Sequence, residues 1–265
     1  MSAGRLLIAL LFVGTAATWR VTRSEHTPVA AAQSYADINA PYDSKYHFVR
    51  IQYDGGGGGF GGFRRGRRGA TWAHDYPRAE YNFLQIVKET TFLGTQTAGS
   101  NVLRFDDPEL LKFPIAYIVE VGYWNPSDQE AQALGEYLLK GGFLIVDDTR
   151  DERGFEYRNF AAHMERALPG LTLVPLAHDH EIFDSFFRVD PLAVVSHPIY
   201  GPPLDIQYYA IFEDNDPEKR MLVVFNFNND IAEYWEYSDQ GYVSIDLTNE
   251  AFKLGVNYVV YAHTH

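Results

Sequence analysis

The chain has 265 residues, of which 46% are hydrophobic, enough for a full core in one large domain. Its net charge of −13 argues against a nucleic-acid partner, because a phosphate backbone repels an acidic surface. It contains no cysteine, which excludes disulfides, thiolate metal ligands and a cysteine nucleophile.

Residues 1–23 begin with a single basic residue, Arg5, and run from Leu6 to Val13 without a polar side chain. Small residues and Trp19 follow, and Arg20 and Arg23 close the segment. The pattern reads as a secretory signal peptide or a retained membrane anchor, either one an apolar helix. The apolar run falls short of the ~20 residues of an ordinary spanning helix. The expected location is therefore periplasmic, exported or tethered to the inner membrane, with membrane contact through residues 5–21 if the segment is retained. Residues 24–45 carry Ala, Pro and Ser without apolar periodicity and read as a linker.

The folded domain is expected over residues 46–265. Residues 46–53 have the apolar content of a first strand. A Gly/Arg-rich insertion, residues 54–71, comes next. It lacks the Gly-Lys-Ser/Thr of a phosphate-binding loop. It reads as a low-complexity insertion whose Arg64, Arg65, Arg67 and Arg68 form a cationic docking patch. Residues 78–91 have helical periodicity, with Tyr81, Leu84, Ile86 and Val87 inward and Arg78, Glu80, Lys88 and Glu89 outward. A strand is expected over 102–105. Asp107 and Pro108 then open a helical turn. Residues 115–121 form a strongly apolar strand stopped by Gly122. Ser127 and Glu130 make a capping box for a helix ending at Lys140.

Gly141 and Gly142 release the chain into residues 143–146, apolar on both faces, which is how a central parallel strand reads. Asp147 and Asp148 stand at its end. A helix over 155–168 directs Phe160, Met164 and Leu168 inward and stops at Pro169-Gly170. A strand over 171–176 leads to His178 and His180. Residues 206–212 and 221–227 are two strands in a hairpin. Tyr234 and Trp235 lie in an aromatic, acidic segment that suits either an exposed partner patch or a core-edge strand. A last helix covers 249–261, where Gly255 suggests close packing.

This alternation of strand and helix is that of an α/β protein with a mostly parallel sheet. Right-handed crossovers are expected to bring the loop after Val121, Asp147, Asp148, His178 and His180 to one edge. Ligands of open α/β sheets bind at the edge formed by the carboxyl ends of the strands.

The series Tyr53-Asp-Gly-Gly, Trp72-x-His-Asp-Tyr-Pro, Glu-Val-Gly122, Gly141-Gly-Phe-Leu-x-Val-Asp-Asp148, His180-Glu-Ile-Phe183 and Leu254-Gly-Val-Asn-Tyr-Val-Val-Tyr-Ala262 resembles a bacterial family. It is the one catalogued as domain of unknown function 4159, and the resemblance runs from residue 46 to the C-terminus. The chain departs from the pattern where the Gly/Arg insertion separates the glycines from Trp72. The family is grouped with class I glutamine amidotransferase-like folds. The resemblance therefore implies a flavodoxin-like three-layer sandwich, usually exported or membrane-tethered, with no established activity.

An amidotransferase needs a cysteine at a sharp strand-to-helix turn. The turn after Val121 reads Gly122-Tyr123-Trp124-Asn125, and no G-x-S-x-G elbow replaces it. No catalytic residue is assigned on this basis. Trp72, His74, Asp75, Asp147, Asp148, His178 and His180 are the candidate ligand-binding residues. Such a mixed nitrogen and oxygen set suits Zn or Mn; capping and loop hydrogen bonds are the structural alternative, and no metal or cofactor is assigned. The leading expectation is a non-catalytic, membrane-associated accessory protein that docks to protein partners of a bacterial membrane complex, bioenergetic ones included. The alternative is a metal-dependent hydrolase, or a carbohydrate- or small-ligand-binding protein, using the strand-end Asp/His cluster.

Overall fold

A computed structural model describes residues 39–55, 70–194 and 201–265. The signal or anchor at 1–23, most of the linker and the arginines at 64, 65, 67 and 68 lie outside the described residues. Among the described residues no helix is long and apolar enough to cross a membrane.

The domain is α/β, with seven strands in one mostly parallel sheet. In chain order these are β1 (Val49–Ile51), β2 (Asn101–Leu103), β3 (Ile115–Val119), β4 (Phe143–Asp147), β5 (Val174–Pro175), β6 (Gln207–Phe212) and β7 (Met221–Phe227). Their order across the sheet is β2-β1-β3-β4-β7-β6-β5. β2, β1, β3, β4 and β7 run parallel, while β6 and β5 each pair antiparallel to their neighbour. The β3–β4 register sets Val119 against Asp147, so both strands finish at the same level.

Helices cover both faces: α1 (Arg78–Thr90), α2 (Asp128–Leu139), α3 (Phe155–Ala167), α4 (Ile231–Glu236) and α5 (Ile245–Thr264). α1, α4 and α5 pack together on one face, and α2 and α3 on the other. Two hydrophobic clusters follow, one under each layer. Strands β3 and β4 are buried at every position, which is why their sequences lack polar alternation. The capping box of α2 forms as expected, with Ser127 Oγ accepting from Glu130 N and the Glu130 carboxylate accepting from Ser127 N. Gly255 lies where a Cβ would meet Trp235 Cζ2 at 2.4 Å and Phe83 Cε2 at 2.7 Å. That bare surface lets α4 and α1 close on α5.

Several expectations are corrected. Tyr234 and Trp235 are not a docking patch: they lie on helix α4, 0% and 1% exposed. Trp235 stacks on Phe83 with ring centroids 4.2 Å apart. The apolar area of these rings is worth more in the core than the exposed edge the sequence allowed. On α1, Glu80 is buried and Tyr81 exposed, the reverse of the helical-face reading. Glu80 turns inward because Arg50 of β1 is fully buried beneath it and donates Nε–H to its carboxylate at 2.6 Å. The strand expected over 171–176 shrinks to Val174–Pro175, followed by one further backbone bond from Leu176 N to Tyr208 O. The linker ends earlier than residue 45: Asn39 and Ala40 are already hydrogen-bonded to Val102 and Asn101 of β2.

Candidate metal centre

The carboxyl ends of β3, β4 and β7 deliver Glu120, Asp148 and Asn228-Asn229-Asp230 to one crevice. The segment before α1 adds His74 and Asp75. Asp75, Glu120, Asp148 and Asn228 all have left-handed backbone, with φ of 63°, 53°, 54° and 60°. Four of the seven non-glycine residues with positive φ among the described residues thus surround one crevice. Each such conformation costs about 1–3 kcal/mol, and strain of this kind gathers at functional sites.

His74 Nδ1 lies 2.5 Å from Asp148 Oδ2 and 3.6 Å from Asp75 Oδ2. Candidate ligand atoms of His74, Asp75, Asp148 and Asp230 all fall within 4.8 Å of one another. Asp75 is 4% exposed, and neither of its carboxylate oxygens has a hydrogen-bond partner. Burial holds its carboxyl well above the usual range, reinforced by the charges of Asp148, Glu233 and Glu236 and opposed by Arg50. Burial raises Asp230 in the same way, reinforced by the charges of Asp148, Asp75, Asp147 and Glu233. Burial alone would lower the His74 imidazole, but the Asp148 hydrogen bond and charge, helped by Asp230 and Glu120, bring it to about 9. Among the described residues the carboxylates of this cluster outnumber the cations beside them. A divalent cation would relieve that excess.

Beneath the crevice a buried polar network fixes the frame. Asp147 is 0% exposed and accepts from Tyr117 Oη at 2.6 Å, Asn226 Nδ2 at 2.9 Å, and the backbone of Ile231 and Ala232. Tyr258 donates to Asn226 Oδ1 at 2.6 Å. Asp147 therefore anchors the start of α4, and Asp230, accepting from Glu233 N at 3.0 Å, caps that helix. Burial lifts the Asp147 carboxyl to about 6 against the pull of these donors.

Of the candidates read from sequence, His74, Asp75 and Asp148 meet in the crevice. Asp147 points below it and holds α4. Trp72 is buried in the core, 6.1 Å from the Tyr76 ring. His178 and His180 are not part of this cluster. His178 is exposed, and His180 accepts from Ile182 N and lies against Phe212 and Tyr261 near the start of β7. The chain turns back after β5, which brings His180 beside the turn between β6 and β7, at the opposite edge.

The sharp turn also falls earlier than expected. β3 ends at Val119, and the strained residue is Glu120, whose carbonyl accepts from Tyr53 Oη at 2.9 Å. The place where an elbow would present a nucleophile holds a carboxylate. Glu156 of α3 packs over Gly122, where a Cβ would meet its Cγ at 2.7 Å. Its carboxyl is pushed up to about 8 by burial and by Glu120, Asp148 and Asp151. Glu120, Glu156 and Asp230 escaped the sequence reading; the Asn-Asn-Asp after a strongly apolar strand was the one signal for Asp230.

No curated protein matches the chain. The family described as a domain of unknown function, DUF4159, matches residues 47–263. That match covers the sheet, both helical layers and every residue of the crevice, and the chain belongs to this family.

Proposed function

We propose that this domain is a divalent-cation-dependent hydrolase, with the cation held by His74, Asp75, Asp148 and Asp230. The observation that carries the reading is Asp75: a buried carboxylate, lacking any hydrogen-bond donor, directed among three further ligand-type side chains. An ionised carboxylate left so costs several kcal/mol, and it needs a proton or a metal. The strand order β2-β1-β3-β4 supports a flavodoxin-like sandwich of the amidotransferase-like kind, whose crevice lies at these strand ends. With no thiol in the chain and Glu120 at the turn, water is the fitting nucleophile. Glu156, protonated at neutral pH, suits a proton donor to a leaving group. Export through residues 1–23 belongs to the same proposal, tested by sequencing the N-terminus of protein recovered from membrane and periplasmic fractions.

The test is metal analysis and thermal unfolding of EDTA-stripped protein with added Mn²⁺, Zn²⁺ or Mg²⁺. At 100-fold excess over Kd the ion adds about 2.7 kcal/mol. For a domain of this size that is a rise of about 5–10 °C in Tm. Asp75→Asn is expected to abolish the rise while making the stripped protein more stable than wild type, since a neutral amide replaces a buried acid. Hydrolysis of p-nitrophenyl phosphate and p-nitrophenyl acetate, with and without the ion, probes the reaction. Wild-type protein that shows no Tm response to any of the three ions refutes the reading.

A further inference from the structure

Resting on the reading above, we propose that the centre is dinuclear, with Asp75 bridging to a second divalent cation held by Glu233 and Glu236. Ligand atoms of Asp75, Glu233 and Glu236 also lie within 4.8 Å of one another, so Asp75 belongs to two groups at once. Its side chain is fully buried, and both of its oxygens lack hydrogen-bond partners. One metal ligand leaves the second oxygen still unmatched. Glu236 Oε2 is likewise buried without a hydrogen-bond partner.

Among the described residues His74 and Arg50 are the cations near Asp75, and both are engaged elsewhere, His74 with Asp148. Arg50 is paired with Glu80, and its guanidinium lies 4.8 Å from the centre of the Tyr117 ring. Glu80 already balances the charge of Arg50, while the ligand atoms of the second group are all carboxylate oxygens. The two groups are also joined mechanically, because Asp230, a ligand of the first ion, caps the helix that carries Glu233 and Glu236. The second group offers only oxygen, which favours Mn²⁺ or Mg²⁺ over softer ions. Carboxylate-bridged ions in two-metal sites lie about 3.5–4 Å apart and clamp both oxygens of a displacement.

The experiment uses the full chain, stripped with EDTA and dialysed against Mn²⁺, with elemental analysis and electron paramagnetic resonance. The expected result is two Mn²⁺ per chain and an exchange-coupled multiline spectrum. Glu236→Gln is expected to keep one ion with the six-line spectrum of isolated Mn²⁺, and the exposed control Asp179→Asn to keep two. One uncoupled ion in wild type, or two uncoupled ions, overturns the bridge and leaves the single-cation reading standing. Wild type without any Mn²⁺ overturns both. The wild-type stoichiometry and spectrum decide the matter even if Glu236→Gln does not fold.

Discussion

Replacing Gly255 with alanine sets two opposing effects against each other, and the geometry says which prevails. Alanine gains about 1 kcal/mol over glycine from helix propensity. The new methyl, however, would stand 2.4 Å from Trp235 Cζ2 and 2.7 Å from Phe83 Cε2. Carbon contacts settle near about 3.5–4.0 Å, so the overlap is on the order of 1 Å with each ring. Neither ring can retreat freely. Phe83 and Trp235 are stacked at 4.2 Å, and Phe252 lies on Trp235 at 6.4 Å between centroids. Overpacking of this kind costs about 1–3 kcal/mol, or more where the neighbours are rigid, and here it exceeds the propensity gain. A net loss of about 1–2 kcal/mol lowers Tm by about 2–8 °C in a domain of this size. Urea and thermal unfolding measure it. The same substitution in a Trp235→Phe background, which removes the six-membered ring carrying Cζ2, should be milder. A neutral or stabilising Gly255→Ala, or an equal penalty in both backgrounds, refutes the reasoning.

Glu156 ionises at about 8 in the folded chain against an ordinary 4.5. The unfolded chain therefore sheds this proton first, and stability falls as pH rises from about 4.5 to about 8, then levels, by at most ~5 kcal/mol. Glu156→Gln should remove most of that fall in urea unfolding compared at pH 5 and pH 8; an unchanged fall counts against the assignment. Ser127→Ala removes the cap of α2 and should lower stability by about 1 kcal/mol without altering Mn²⁺ uptake, read by unfolding and metal analysis together. Asp147→Asn turns an acceptor of four donors into a partial donor, and should both destabilise the fold by more than the capping change and weaken cation uptake through the loss of α4's anchor.

The local devices were legible: the all-apolar strands β3 and β4, the Ser127–Glu130 box, the hairpin of β6 and β7, and the crowding at Gly255. Each depends on neighbours a few residues apart, or on a demand for burial from both sides. The crevice was legible only in half. His74, Asp75 and Asp148 announce themselves as polar residues flanking apolar elements. Asp230 joins them only because β7 inserts beside β4, a pairing about 80 residues apart in sequence that no local pattern specifies. Glu80 reads as outward on a helical wheel, which takes no account of Arg50 buried beneath it. The misplacement of His178 and His180 has a related cause. β5 does run in the same sense as β4, but the chain folds back on itself after this short strand and carries His180 beside Phe212, at the start of β7.

The contact between Asn39 and β2 has a consequence for how the molecule keeps to itself. Val102 directs its backbone N–H and C=O away from the sheet, and the Asn39 side chain meets both, accepting at 2.7 Å and donating at 2.8 Å. One carboxamide thus imitates the peptide of an eighth strand without offering a further ladder of its own. Among the described residues this side group closes β2 at Val102, and a chain begun just after it would leave those two backbone groups open to recruitment by a neighbour.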